Sequence, residues 1–263
     1  MKKKGRKMPS NTQSYTHISV VMIVKNESQS IKKCLDSVAW ADEIVVLDTG
    51  STDDTPKICS AMGAKVFYLD KWDGFGKARQ KAVSLASNDW VFSLDADEIV
   101  SPGLQKLILH LQHSGLGDCA YRVKVQSYYL GKRIRYCGWQ NEWHTRLFNR
   151  QDGNFNSEAV HESIVCNKPI CKLPGTLHHY TYPTTAVHKA KMKLYGDLGA
   201  NKLLSKGKAS NPIKALMRGS FTFFKMYFLK AGFLDGRHGF NLCKTTAWGT
   251  WYKYMVLWKL KES

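Results

Sequence analysis

At 263 residues the chain is long enough to bury a sizeable core, as one large α/β domain or as a domain with an appendage. Apolar residues make up 43% and charged residues 23%, proportions of a folded protein that exclude wholesale disorder. The formal net charge of +18 is unevenly placed: residues 1–131 hold 17 basic and 14 acidic side chains, residues 132–263 hold 22 and 7, so the rear half faces something anionic, nucleic acid or acidic lipid.

Residues 1–15 read as a basic, polar tail. Their Lys-rich start resembles a signal n-region, but the residues after it are polar, so no signal peptide is expected. An α/β rhythm follows. Residues 18–24 form a short apolar run of buried-strand type, and a helix opens after Asn26 with Ile31, Cys34, Leu35 and Val38 on one face. Residues 43–48 are a second strand; Thr55 and Pro56 read as N-cap and first residue of a helix reaching about Met62. Residues 64–69, an Ala-rich helix over 75–86, and residues 90–95 complete the series. Four strands alternating with helices predict a parallel sheet, whose ligands sit at the carboxyl ends of the strands, where Asp48 and Asp95 fall.

After Gly115 the pattern changes. Residues 119–130 alternate, with 133–137 as a hairpin partner, and 138–183 mix short strands and loops dense in Trp, His, Asn and Glu. Residues 184–206 read as helix, and 211–263 as aromatic-basic helical stretches around a Gly-rich break at 232–239. The domain reading is a tail (1–15), a front half (16–115), a second half (116–206) and a helical appendage (207–263). Seven cysteines, scattered singly without a CxxC pair, signal neither a disulfide framework nor a zinc site, and fit a reducing cytoplasm. No run of about 18 apolar residues marks a spanning helix.

Two motifs carry chemistry. Asp95 and Asp97 stand at alternate positions after a buried strand, so both face one ligand if the segment stays extended, and two such carboxylates call for a cation. Mg²⁺ or Mn²⁺ bridged to a diphosphate meets that need; solvated acids in a turn are the bland reading. The second motif runs from Asp48 through Gly50 to Asp53 and Thr55. Gly50 permits a tight turn close to a ligand, and Asp48 and Asp53 accept from base or ribose donors, or else serve an Asx-type turn capped by Thr55.

Residues 18–24 with Lys25-Asn26-Glu27, the Asp48–Asp53 block, Gly76-Lys77-Ala78-Arg79-Gln80 and Asp95-Ala96-Asp97-Glu98, in this order and spacing, resemble the nucleotide-binding half of GT-A glycosyltransferases of family 2. A narrower resemblance, to lipopolysaccharide inner-core β-1,4-glucosyltransferases acting on the first heptose, adds Arg146-Leu147-Phe148, Val160-His161-Glu162, residues 177–180 and residues 232–236. The resemblance implies a GT-A fold, Rossmann-like and mainly parallel. It also implies an inverting, metal-dependent transfer of a hexose, glucose foremost, from a UDP-sugar to a lipid-linked saccharide, or to another envelope glycan. Asp48 would contact uridine, with Asn26, Glu27 and Arg79 near the nucleotide; Asp97 would be the main metal ligand, and Asp95 would sit on the ribose or the metal-bound water shell. Thr49 departs from the commoner Asp-Asp-Gly-Ser pattern and leaves one carboxylate fewer for the base.

Inversion needs a carboxylate base on the acceptor side. Of the seven acids in the rear half, Asp152, Asp197, Asp235 and Glu262 fall in a turn, a helix or the appendage, leaving Glu142, Glu158 and Glu162. Glu162 leads, since residues 160–162 resemble a recurrent family-2 block, and Glu142 follows; salt bridging or capping is the alternative for each. His178 is a candidate metal ligand or a structural histidine, and Trp139 and Trp143 suit a sugar face or a core. Apolar and basic residues alternate over 213–230 and 248–260 at helical spacing, which predicts contact with an anionic membrane surface; the resemblance implies that this is the cytoplasmic face of the inner membrane. A nucleic-acid-binding protein explains the same charge but not the strand-end carboxylates.

Overall fold

The computed structural model describes residues 15–158 and 162–262. The expected tail therefore lies outside the described residues except for Tyr15, as do Val160 and His161. The apolar runs form β1 (Ile18–Val24), β2 (Glu43–Asp48), β3 (Lys65–Tyr68) and β4 (Trp90–Ser93), interleaved with α1 (Ile31–Asp36), α2 (Thr55–Ala61) and α3 (Phe75–Ser84). β1 pairs in parallel with both β2 and β4, and β2 with β3. The register sets Val24 beside Asp48 and Val21 beside Ser93, which brings the carboxyl ends of three strands together.

β1 is buried on both faces, which is why its sequence is a continuous apolar run and not an alternation. Val21 joins Val45, Leu47 and Val91 beneath Ala82 and Val83 of α3, while Val20, Met22, Val46 and Phe92 are buried on the opposite face of the pleat. α1 buries Ile31, Cys34 and Leu35, and Val38 just beyond it, the face read from the spacing. α2 starts at Thr55 with Asp54 as its N-cap residue, one position earlier than the sequence reading, because Thr55 turns its hydroxyl onto Asp53.

The chain continues as β5 (Glu98–Val100), α4 (Pro102–Ser114), β6 (Ala120–Tyr129), β7 (Lys132–Arg133), β8 (Glu142–Asn149), β9 (Gly153–Phe155), β10 (Ile164–Cys166) and β11 (Ile170–Tyr182). Then come α5 (Thr185–Leu204), α6 (Pro212–Phe224), a π-helical turn (Lys225–Leu229), a 3-10 turn (Gly232–Asp235) and α7 (Gly236–Glu262). The chain divides into two compact units: Met1–Val123 with His144–Thr176, and Lys124–Trp143 with Leu177–Ser263. In sheet order the strands run β3-β2-β1-β4-β8-β6-β11-β5. The parallel set ends at β4, since β8 pairs with it antiparallel, so the sheet is mixed and the class α/β.

Three findings differ from the sequence reading. α4 was not anticipated, although Ser101 accepts the Leu104 N–H at its N-cap and Pro102 follows at the first turn. Cys119 and Cys171 form a disulfide with Cα atoms 6.1 Å apart; their 52-residue separation hid the pairing, because only the fold brings the starts of β6 and β11 together. In the second unit the stretch 248–260 is not a free interfacial helix. It lies in α7, largely half-buried, and packs so closely on α5 and α6 that a Cβ on Gly196 would meet the Tyr252 ring at 2.7 Å and one on Gly249 the Met192 Cβ at 2.9 Å.

Candidate functional site

The loop after β1 and the loop after β2 are sewn together by short polar side chains. Asn26, held at φ 56°, accepts the Thr52 N–H on its Oδ1 at 2.7 Å and donates its own N–H to Ser51 Oγ at 2.9 Å. The N–H of Glu27 donates to Thr55 Oγ1 at 2.8 Å, and that of Ser28 to Asp53 Oδ2 at 3.1 Å. Asp48 is 3% exposed, and its carboxylate accepts the Gly50 and Ser51 N–H groups, an Asx-type anchor made possible by Gly50 at φ 101°. Hydrogen bonds from Thr55 and Ser28 outweigh desolvation and hold Asp53 well below the usual carboxylate range. Asn26, Glu27, Asp48 and Asp53 therefore form one preorganised double loop at the tips of β1 and β2.

Beside it lies a chain of ion pairs. Arg79 on α3 donates from Nη2 to Asp95 Oδ1 at 2.6 Å and from Nε to Glu162 Oε1 at 2.8 Å. Arg146 on β8 reaches the other Asp95 oxygen at 3.1 Å and Glu98 Oε1 at 2.5 Å. Glu98 is fully buried and accepts the Asp95 N–H on its second oxygen at 3.0 Å. Desolvation opposes the charge of both arginines, but the carboxylates outweigh it and push both above the ordinary arginine value.

Asp95 and Asp97 do not share an extended segment. β4 ends at Ser93, and the Glu98 N–H closes a turn onto the Asp95 carbonyl at 3.0 Å, so the alternation argument fails here. Burial first, and then the charges of Glu98, Asp97 and Asp95, push the Cys34 thiol well up. The cation invoked for Asp95 is in part already supplied by protein, as Arg79 and Arg146. Arg79 and Arg146 thus bind Asp95, Glu98 and Glu162 into one continuous set of ion pairs. Asp97, a hard oxygen donor, is the carboxylate that could hold a divalent ion here. Among the described residues no three His, Cys, Asp or Glu side chains form a ready metal cage.

Local sequence explains why Arg79 and Glu162 meet. The Gly76 N–H donates to the Glu158 carbonyl at 3.1 Å, and a Cβ at Gly76 would overlap the carbonyl oxygens of Asn156 and Glu158. The start of α3 is thereby pressed onto the backbone of Asn156 and Glu158, while Gln80 Nε2 donates to the Phe155 carbonyl at 2.6 Å and the Arg79 guanidinium lies over the Phe155 ring.

Glu142 and His178 belong to the other unit. Glu142 is partly buried; desolvation raises its pKa, with His179 and Ser127 opposing. His178 contacts the Tyr128 hydroxyl at 3.3 Å, and burial, then Arg133, lowers its pKa. Trp139 packs on Tyr182 in a core with Tyr129 and Leu242, the packing role of the two read from sequence. The 232–236 motif is a joint: Asp235 accepts the N–H groups of Arg135 and Tyr136, the latter at 2.8 Å. In the sequence Arg146 stands out only as part of a motif, and Glu98 only as the residue after Asp97. A glutamate directly after the Asp-x-Asp run and an arginine inside an apolar strand were the available signals, since buried charges are paired.

Residues 19–171 match the family model described as glycosyl transferase family 2. An uncharacterized glycosyltransferase of Rickettsia prowazekii is 32% identical over 236 residues, covering 85% of this chain and 80% of the relative. The lipopolysaccharide core biosynthesis glycosyltransferase LpsC of Rhizobium meliloti is 26% identical over 251 residues, 93% of this chain and 92% of that one. Among solved structures, glucosyl-3-phosphoglycerate synthase from Mycobacterium tuberculosis, in complex with Mn²⁺, UDP and glucosyl-3-phosphoglycerate, is 29% identical with a TM-score of 0.36. That match covers 43% of this chain and 44%, less than half, of the solved one.

Proposed function

The chain belongs to glycosyl transferase family 2 and is a glycosyltransferase, and from that premise we propose that it transfers a hexose, glucose foremost, with inversion from a UDP-sugar to a lipid-linked saccharide. The acceptor we propose is an inner-core heptose of lipopolysaccharide, reached at the surface of an anionic membrane. The single observation that carries this reading is the ion-pair chain Glu98–Arg146–Asp95–Arg79–Glu162 beside the Asn26–Asp53 double loop. Similarity over almost the whole length to LpsC, named for lipopolysaccharide core biosynthesis, supports the acceptor class. Among the described residues no helix is long and apolar enough to cross a membrane.

In this reading the double loop holds the uridine end of the donor, with Asp48 keeping the Gly50 and Ser51 N–H groups in place. A divalent ion, Mg²⁺ or Mn²⁺, held by Asp97 would neutralise the diphosphate. Arg79 fixes Asp95 and Glu162 relative to each other. Glu162 takes the proton of the acceptor hydroxyl as that oxygen bonds to the anomeric carbon; the bond from that carbon to the diphosphate oxygen breaks and UDP leaves with the electron pair. Glu142 is the second candidate, favoured by one observation: desolvation raises its pKa toward the working range of a general base.

The experiment is a panel of UDP-sugars with truncated lipopolysaccharide, with products analysed by mass and Mg²⁺ or Mn²⁺ titrated. One hexose added to the heptose, lost on chelation and abolished in Asp97→Ala, is the expected result. Near-normal turnover by Asp97→Ala would refute the metal assignment, and absence of product with every donor would refute the acceptor.

A further inference from the structure

Helix α6 is turned inside out compared with an ordinary surface helix. Its small residues Ala215 and Gly219 are buried, while Ile213, Met217, Phe221 and Phe224 are between 48% and 72% exposed. Their spacing, four, four and three residues, makes one stripe. The cause is α7: a Cβ on Gly219 would meet the Trp251 Cβ at 2.9 Å and the Ala247 carbonyl oxygen at 3.2 Å, so only small residues fit against it. The exposed apolar run continues through Phe228 and Leu229 of the π turn to Phe233 and Leu234. Lys214, Arg218 and Lys225 occupy the neighbouring stripe, and no Asp or Glu occurs between Asp197 and Asp235.

Beside this stripe, α6 and α7 border a shallow, open groove of about 240 Å³, lined by Leu216, Phe223, Trp248 and Trp251, with Lys244 at its edge. We propose that this groove takes an acyl chain of an anionic membrane lipid, with the α6 stripe seated in the same leaflet and Lys214, Arg218, Lys225 and Lys244 facing the headgroups. Charge selects this occupant. A second copy of the chain would bring another +18 against a face that is itself basic, whereas acidic headgroups over hydrocarbon match both stripes. The stripe is larger than the isolated apolar residues a water-facing surface carries. The inference rests on the membrane-bound acceptor for its setting, but on neither the sugar nor the base.

The test uses the full chain with vesicles of phosphatidylcholine alone, or with about one third phosphatidylglycerol, whose acidic headgroups supply the attraction. Sedimentation should show binding to the acidic vesicles only. Phe221→Ser with Phe224→Ser, or Lys214→Gln with Arg218→Gln and Lys225→Gln, should each weaken it about tenfold or more. Phosphatidylglycerol brominated along its chains should quench tryptophan emission, less so in Trp251→Phe and in Ser220→Leu, which narrows the groove. Equal binding to neutral vesicles, unchanged binding by the phenylalanine variant, absence of quenching, or self-association through this face would each overturn the proposal. UDP-sugar turnover without vesicles serves as the folding control. If turnover persists and vesicle binding fails, only this inference falls; if vesicles bind and no sugar is moved, the functional reading falls instead.

Discussion

Arg79 donates to Glu162 at 2.8 Å across 83 residues of sequence while its other arm holds Asp95 at 2.6 Å. A planar fork suits two carboxylates at once, and a lysine ammonium does not. Arg79→Ala should lower unfolding free energy by about 3 kcal/mol, the cost of leaving partly buried charges short of a partner. Arg79→Lys should recover part of that stability but little of the transfer rate. Urea denaturation alongside steady-state kinetics checks both.

Gly76 permits the close backbone approach beside the same ion pairs. Gly76→Ala places a methyl group against the Asn156 and Glu158 carbonyl oxygens, and backbone cannot step aside as a flexible side chain can. We expect a loss of roughly 1–3 kcal/mol, as for overpacking elsewhere. Transfer should fall further than donor affinity, because a shift of α3 displaces Arg79, which holds Glu162. A variant with normal kcat would show that this approach has no part in positioning.

Glu43 gives a pH signature outside the site. Burial pushes its carboxyl up, but hydrogen bonds from Lys65, Ser19 and Ser87 outweigh this and hold it at about 2, against an ordinary 4.5. The folded value is the lower one, so its stabilisation is fully present above about pH 4.5 and is lost as pH falls toward 2. The stability difference between the natural protein and Glu43→Gln should be roughly 3 kcal/mol near neutrality and shrink across that window. A difference independent of pH would contradict the assignment.

The parallel half of the fold was legible because buried parallel strands are written as unbroken apolar runs, as in residues 18–24, and because Asp48 and Asp95 follow such runs directly. Pairings that only the fold creates were hidden. Cys119 meets Cys171 because β6 and β11 start side by side, and Arg146 meets Glu98 because β8 pairs with β4. Periodicity also misled in one place: 213–230 and 248–260 look alike in sequence, yet in α6 the large apolar residues face outward while α7 packs its own against neighbours. The difference lies in Gly219, Gly196 and Gly249, where close helix approach decides which face is covered. The 3.5 Å contact of Ser127 with Glu142, and the burial that raises the Glu142 pKa, likewise had no counterpart in local sequence.

The most direct test of the account is Glu162→Gln, assayed for donor affinity by calorimetry and for hexose transfer in the same preparation. We predict UDP-sugar affinity within about twofold of the natural protein and transfer reduced about 100-fold or more, the contribution expected of a general base. Undiminished transfer by Glu162→Gln, with Glu142→Gln inactive in its place, would contradict it.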